Sequence, residues 1–477
     1  MLWSSLRPID RANHRLIGFP EAWANRLFGA DLRASDAPPA IALHRDARVI
    51  PCDPFAANTW AAGGILSADG RPVPLVRGWT SHSVSWLGLT EPVAAEPSGV
   101  IDGSVLYLGW LFDNFGHRLV ESLARVWALP HVPPSTPVLF HYWPGSEPSA
   151  AALETLALFG VSRDRIIIPD RPVDVRSLLV PDPLYLLHTI LHDRAGALYQ
   201  AAAGRVAGPI EPGSQPLYLS RTALPPAQRP VVGETVLESI LRDHGFRIEH
   251  PETLPLAEQI RLVRSHDSIV LCSGSATQLL LFARPGTRVH LIAHQPLLGS
   301  CLLSFEAAGL RSTTHNALLW RRNSQLAVQL DVPAAIACLV DEGLLPGSAR
   351  SSSLPPASAL AAEYDEAWLL SIFVAHPSAL PGYRDDVDAA SARLPDTAWP
   401  AFAALAAGLP PDDLDDGEAD ALMARFAAAL AAEPDPARRA RFAATVRGLA
   451  PAALARCGPA VRERAGAAIA AHLPEPA

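Results

Sequence analysis

From residue 101 onward, apolar and polar positions change repeatedly between the two periods that distinguish strand from helix. "SVLYLGWLF" (104–112) is an unbroken apolar run, which predicts a buried strand, and 114–129 follows with apolar residues three and four apart, which predicts a helix. "TPVLFHYW" then reads as a strand, "AAALETLALFG" as a helix closed by Gly160, and "RIIIP" and "SLLVP" as further strands. A second series begins at 216. "PLYLSR" is a strand, "GETVLESILRDHG" a helix, "FRIEHP" a strand and "PLAEQIRLVRSH" a helix with Pro255 near its start. "DSIVLCS", "SATQLLLFA" and, after the Pro285-Gly286 turn, "TRVHLIA" continue as strand, helix and strand. Such alternation predicts parallel sheets of an α/β fold, with ligands outside the carboxyl ends of the strands.

The flanks read differently. Residues 1–100 hold short strand-like runs such as "ALHRDARVI" and "PVPLVRGW", split by turns. "PGSARSSSLPPASAL" reads as a linker, and the Ala-rich chain beyond it as a helical tail without a repeat period or any evident chemistry. The expected organisation is an α/β lobe over 1–205, a second over 206–345, a linker over 346–360 and helices over 361–477.

Composition narrows the function. A chain of 477 residues, 49% hydrophobic and 18% charged, is globular and long enough for two or three domains. A net charge of -9 argues against nucleic-acid or anionic-membrane partners, which call for a basic excess. All 39 basic residues are arginine, so Schiff-base chemistry and a P-loop lysine are excluded, and phosphate must be held by Arg or by backbone N–H groups. The five cysteines (52, 272, 301, 338, 457) form neither CxxC pairs nor a disulfide framework, which suggests a reducing compartment. The start lacks the apolar core of a signal peptide and no run of eighteen apolar residues follows, so a cytoplasmic location is expected.

Three constellations carry candidate chemistry. On the helix predicted over 114–129, Phe115, Leu119, Leu123, Val126 and Trp127 share one face, while His117, Glu121 and Arg125 form a stripe on the other. The plain reading is a solvated face with Glu121 and Arg125 paired. The functional one is a histidine that takes a proton while a carboxylate orients it. A zinc site is the weaker alternative, with only two ligands in view.

Second, Ser273, Gly274 and Ser275 fall between a strand and a helix, where free N–H groups and the helix dipole favour phosphate; an ordinary turn capped by Ser is the alternative. The same turn could be a nucleophile elbow, with Ser275 followed by His290 or His294, but the glycines of GxSxG are absent and no acid is well placed. Third, Arg221 at the end of a strand and Arg229 in the next loop could clamp a pyrophosphate, or be ordinary surface arginines.

Together these pieces resemble the family 61 glycosyltransferases, which include bacterial capsular-polysaccharide transferases. "HRLVESLAR" is similar to that family's H-x-L-x-E-x-L-x-R helix, with Leu119 displaced by one step. "LALFGVSRDRIIIP" echoes its Leu-Gly-x-x-x-x-R-I-I segment, "LYLSR" its Y-x-S-R, and "IVLCSGSATQLLLFARPGT" its closing block. The likeness spans roughly residues 105–295. Gly233 stands where the family has the Asn of an Asn-Glu pair, and Leu271, Ser273 and Leu279 also depart from its pattern.

The resemblance implies a GT-B-like enzyme of two Rossmann-like lobes with a C-terminal helical appendage. It implies inverting transfer of a sugar from a nucleotide-sugar to a glycan or other hydroxyl acceptor, with His117 and Glu121 catalytic. Arg221, Arg229, Ser273, Gly274 and Ser275 would hold the donor, with Glu252 and Gln259 toward its nucleoside. No metal or other cofactor is expected, because Arg and a helix dipole replace the ion. "DVD" (386–388) and "DLD" (413–415) lie in the polar tail and read as solvated loops. A peripheral association with a polysaccharide assembly complex fits this reading. The alternatives are a non-catalytic binder of sugar nucleotides or glycans and a serine hydrolase using Ser275.

Overall fold

The computed structural model describes residues 5–51, 63–73, 89, 92–143, 145–208, 213, 215–224, 230–293, 298–319, 327–375 and 383–394. Arg229, His294, most of "PVPLVRGW", "DLD" and the chain beyond 394 lie outside them. The chain divides into two compact units, Met1–Ser220 with Leu241–Ala317 and Arg221–Ile240 with Leu318–Ala477.

The first unit holds two six-stranded sheets, with strands numbered β1 to β19 along the chain. One is entirely parallel and runs β14 (Arg247–Glu249), β12 (Leu217–Leu219), β15 (Ser268–Cys272), β16 (Arg288–Ala293), β17 (Arg311–Asn316) and β2 (His14–Ile17). Residues Leu217–Leu219 and Ser268–Cys272 are buried throughout, as expected of parallel strands covered on both faces. Counted from β12, the order is second, first, third, fourth, fifth, so the winding reverses between β12 and β15. That crevice is where doubly wound sheets take ligands.

The other sheet runs β5 (Gly64–Leu66), β4 (Ile41–Ile50), β9 (Val173–Pro181), β6 (Val100–Trp110), β7 (Val138–His141) and β8 (Ile166–Ile167). Strands β6 to β9 are mutually parallel, and β4 and β5 close one side antiparallel. A smaller sheet joins β1 (Leu6–Pro8), β3 (Arg33–Ser35), β11 (Ile190–His192) and β10 (Tyr185–Leu186). The predicted alternation is therefore present as a mixed α/β fold. It was under-read at β17, at β2 and at helix Ala195–Ala207, whose small residues show little contrast between faces.

One buried cluster connects both six-stranded sheets. It includes Leu106, Leu108 and Leu119 from the mixed side and Leu271, Leu279 and Phe282 from the parallel side. Helix Ala195–Ala207 joins them. Tyr199 donates its hydroxyl to the Leu119 carbonyl at 2.6 Å, and its ring meets Phe282 edge-on at 5.5 Å. Gly196 lets this helix approach closely, since a Cβ there would lie 1.9 Å from the Ala307 carbonyl oxygen.

The second unit contains the three-stranded sheet β13 (Val231–Val232), β19 (Val328–Leu330) and β18 (Leu318–Leu319). In the segment read as a linker, Gly347–Ser351 forms a 3-10 turn and a helix begins at Ala357. The Asp386–Asp388 stretch lies in helix Arg384–Ala392, not in a loop, because Val387 and Ala390 give it a buried face. Asp365 and Arg393 form a bidentate ion pair, at 2.5 and 2.9 Å, that ties this helix to Ala357–Ala375.

Candidate active site

The chain leaves β6 through a glycine. Gly109 has φ +101°, and the pairing of β6 with β7 shifts register there, so Tyr107 faces Leu139 while Trp110 faces His141. This bulge moves Trp110 to the opposite side from Leu106 and Leu108 and stacks it on His141, with ring centroids 5.3 Å apart. Phe112, two residues on, approaches the ring of His117 at 5.4 Å.

Asn114 then caps a helix. Its side chain accepts from the N–H of Gly116 at 3.1 Å, an interaction typically worth ~1 kcal/mol. The helix covers only Phe115–Val120, not the 114–129 expected from periodicity. Turns follow, then a 3-10 stretch over Val126–His131. The α-helix stops because tertiary partners take over: Ser122 Oγ accepts from Phe112 N–H, and the Ala124 carbonyl accepts from Leu184 N–H.

The polar stripe is correspondingly shorter. Arg125 leaves it: the side chain is buried, donates to the Pro181 carbonyl at 3.0 Å and lies over the Tyr107 ring. Burial lowers its pKa. His117 and Glu121 remain together, with His117 Nδ1 hydrogen-bonded to Glu121 Oε2. Their side chains are 32% and 12% exposed, so the pair is reachable on the imidazole side and sheltered on the carboxylate side.

Helix Phe115–Val120 packs directly on the segment Ser275–Phe282. A Cβ at Gly116 would lie 3.5 Å from Ser275 Oγ and 3.6 Å from Gln278 Oε1. The first and second constellations thus meet within one unit. Ser275–Phe282 is a 3-10 helix, tighter than the α-helix expected, and Thr277 N–H to Gly274 carbonyl is its first rung. The N–H groups of Ser275 and Ala276 precede that ladder. Ser273 is 1% exposed and its N–H donates to the Ile292 carbonyl, so it lies beneath the rim, while Gly274 and Ser275 reach it.

The remaining predicted residues are dispersed. Glu252 is exposed in a 3-10 turn after β14. Gln259 is buried and donates from Nε2 to the Leu254 carbonyl at 2.8 Å, holding that loop, while its Oε1 is buried without a hydrogen-bond partner. Arg221 is the first residue of the second unit, where its N–H donates to Glu234. No described histidine is hydrogen-bonded to Ser275, and His290 stacks on His315 within the parallel sheet.

Two features near His117 were missed. Asp113 accepts hydrogen bonds from the Tyr142 hydroxyl and from Ser149 N–H. Burial raises its pKa, but those hydrogen bonds outweigh burial and leave Asp113 below the ordinary carboxylate value. Burial, reinforced by Asp113, raises the Tyr142 phenol. His141 donates from Nε2 to the Ile50 carbonyl and accepts the Tyr107 hydroxyl, and burial pushes it down to about 4, so it is neutral. The available signal was alternation at the strand ends, Trp110-x-Phe112 and His141-x-Trp143, which places pairs of aromatic residues on one face.

The mixed α/β unit thus places the His117–Glu121 pair beyond the carboxyl end of one sheet and the Ser273–Ser275 turn at the switch point of the other. A family model described as Glycosyltransferase 61 matches residues 115–290, from the first residue of the His117 helix to the middle of β16. The match supports a glycosyltransferase, and such enzymes act on a nucleotide-sugar donor and an acceptor. No curated protein matches the chain. No described helix is long and apolar enough to cross a membrane. Among the described residues, no group of three His, Cys, Asp or Glu side chains could hold a metal ion.

Proposed function

We propose that the protein transfers a sugar with inversion from a nucleotide-sugar to a hydroxyl acceptor on a glycan, of the kind used in capsular-polysaccharide synthesis. The observation that carries this reading is the His117–Glu121 pair on a helix packed against the Ser275 turn, inside the region of the family match. A neutral imidazole that donates from Nδ1 to a carboxylate has its lone pair on Nε2, where it can take the acceptor's proton. Glu121 then stabilises the imidazolium. The acceptor oxygen attacks the anomeric carbon, the bond to the nucleoside diphosphate breaks, and the departing charge is taken by the N–H groups at Gly274 and Ser275; Arg221 and Arg229 are proposed as further donor-binding residues on their chemistry alone.

In this reading Ser273 shapes that turn, Glu252 and Gln259 face the nucleoside, and arginine with backbone N–H groups serves where a divalent cation otherwise would. The two six-stranded sheets act as the Rossmann-like lobes of a GT-B-like enzyme, working in the cytoplasm and at the periphery of an assembly complex.

The test is nucleoside diphosphate release across a panel of nucleotide-sugars and glycan acceptors. His117→Ala and Glu121→Gln are each expected to lower kcat by about 10²- to 10⁴-fold, the usual contribution of a general base, with the unfolding midpoint little changed. Near-normal turnover in both variants would overturn the assignment.

A further inference from the structure

Helix Glu234–Asp243 is amphipathic, yet two acids occupy its buried face. Glu234, Leu237, Glu238 and Leu241 stand at i, i+3, i+4 and i+7 on one helix face, and are 1%, 0%, 8% and 0% exposed. A carboxylate in such positions is costly to bury unless donors meet it. Among the donors that meet them here are the two residues that follow Ser220. Glu234 Oε1 accepts the Arg221 backbone N–H at 3.1 Å, and Glu238 Oε2 accepts the Thr222 hydroxyl at 2.7 Å.

The helix start is fixed in turn by the sheet before it. Val231 and Val232 pair with Val328 and Gln329, and Gly233 turns the chain at φ +89° against Val332. A positive φ suits glycine best, so Gly233 takes this turn without strain.

We infer that Glu234 and Glu238 are positioning residues for the donor diphosphate: they fix the Arg221–Leu224 turn so that Arg221 is presented in one conformation. This rests on the donor reading of Arg221 given above. Hydrogen bonds to an ionised acceptor are stronger than neutral ones, and two of them on consecutive residues restrain both the backbone and the side-chain direction.

The experiment titrates UDP and GDP into the full chain by calorimetry and follows amide hydrogen exchange at 221–224. Glu234→Ala and Glu238→Ala are each expected to weaken nucleotide binding by about tenfold or more and to speed exchange at these amides. Glu234→Gln and Glu238→Gln, whose amide oxygens still accept, should restore most of both. Should an alanine variant fail to fold, Thr222→Val removes the Glu238 contact from the half-buried side and should reproduce the loss. If the wild type binds a nucleotide and Glu234→Ala, Glu238→Ala and Thr222→Val bind it equally well, the positioning role is overturned alone. If the wild type binds neither nucleotide, the donor reading falls and the inference with it.

Discussion

The all-parallel sheet and the mixed sheet both place their candidate site residues beyond the carboxyl ends of strands, but with different materials. The rim of the parallel sheet at its switch point is mostly backbone and small side chains, Ser273, Gly274 and Ser275, suited to receiving an anion. The mixed sheet ends in ionisable and aromatic side chains, Trp110, Phe112, Asp113, His117 and Glu121, and it uses a glycine bulge to direct them. On the function proposed above this is a division of labour: one sheet would supply fixed dipoles and the other a proton acceptor. Their shared core keeps helix Phe115–Val120 against Ser275–Phe282.

That comparison can be broken most severely at the join. Gly196→Ala should cost about 3 kcal/mol or more, because the added Cβ meets backbone, not a movable side chain. Gly204→Ala, in the same helix with open space around it, should instead stabilise by roughly 0.5 to 1 kcal/mol. Urea unfolding of the two variants checks both signs, and equal effects would show that the close approach to Ala307 is unimportant.

The next effect isolates the bulge. Gly109→Ala should cost roughly 2 kcal/mol, since it places a side chain at φ +101° and against the Arg125 guanidinium. It should also reduce turnover, because Trp110 and Phe112 are re-aimed. A variant with wild-type stability and activity would separate the bulge from the site.

Acid should weaken the mixed sheet through His141. Its folded pKa, about 4, lies below the ordinary value of 6.5, so between those values the unfolded chain binds the extra proton. Stability from the neutral ring is complete above pH 6.5 and is lost as pH falls toward 4, by about 2 kcal/mol at pH 5. His44 and His266, lowered by burial, act in the same direction. Urea midpoints at pH 7.5 and pH 5 measure the loss, and His141→Gln should reduce it.

The smallest effect is expected at the contact between the two constellations. Gly116→Ala puts a methyl at ordinary contact distance from Ser275 and should change stability by less than about 0.5 kcal/mol. Gly116→Leu, by filling the space beside Ser275, should lower turnover much more than stability, as kinetics and unfolding measured together would show.

Much of the fold was legible because its strands are buried on both faces. "DSIVLCS" and "TRVHLIA" read as continuous apolar runs for that reason, and glycines at positive φ, Gly160 and Gly245, ended their helices where expected. The helix over 114–129 was over-extended because periodicity cannot register that Ser122 and Ala124 bond to other segments. Arg125 was placed on a solvated stripe although Pro181 and Tyr107, more than fifty and nearly twenty positions away, enclose it. The glutamates at 234 and 238 stood at core spacing in plain view, but their partners lie in the preceding turn, not on the helix.

The sequence by itself determined the alternation of strands and helices, the arginine-only basic chemistry, and the pairing of His117 with Glu121, since each follows from local periodicity or composition. Only the tertiary structure decided which faces those residues met. The Gly109 bulge, the burial of Arg125 and the seating of Gly116 on Ser275 depend on contacts between segments far apart in the chain, and a one-dimensional pattern of apolar and polar positions contains no term for them.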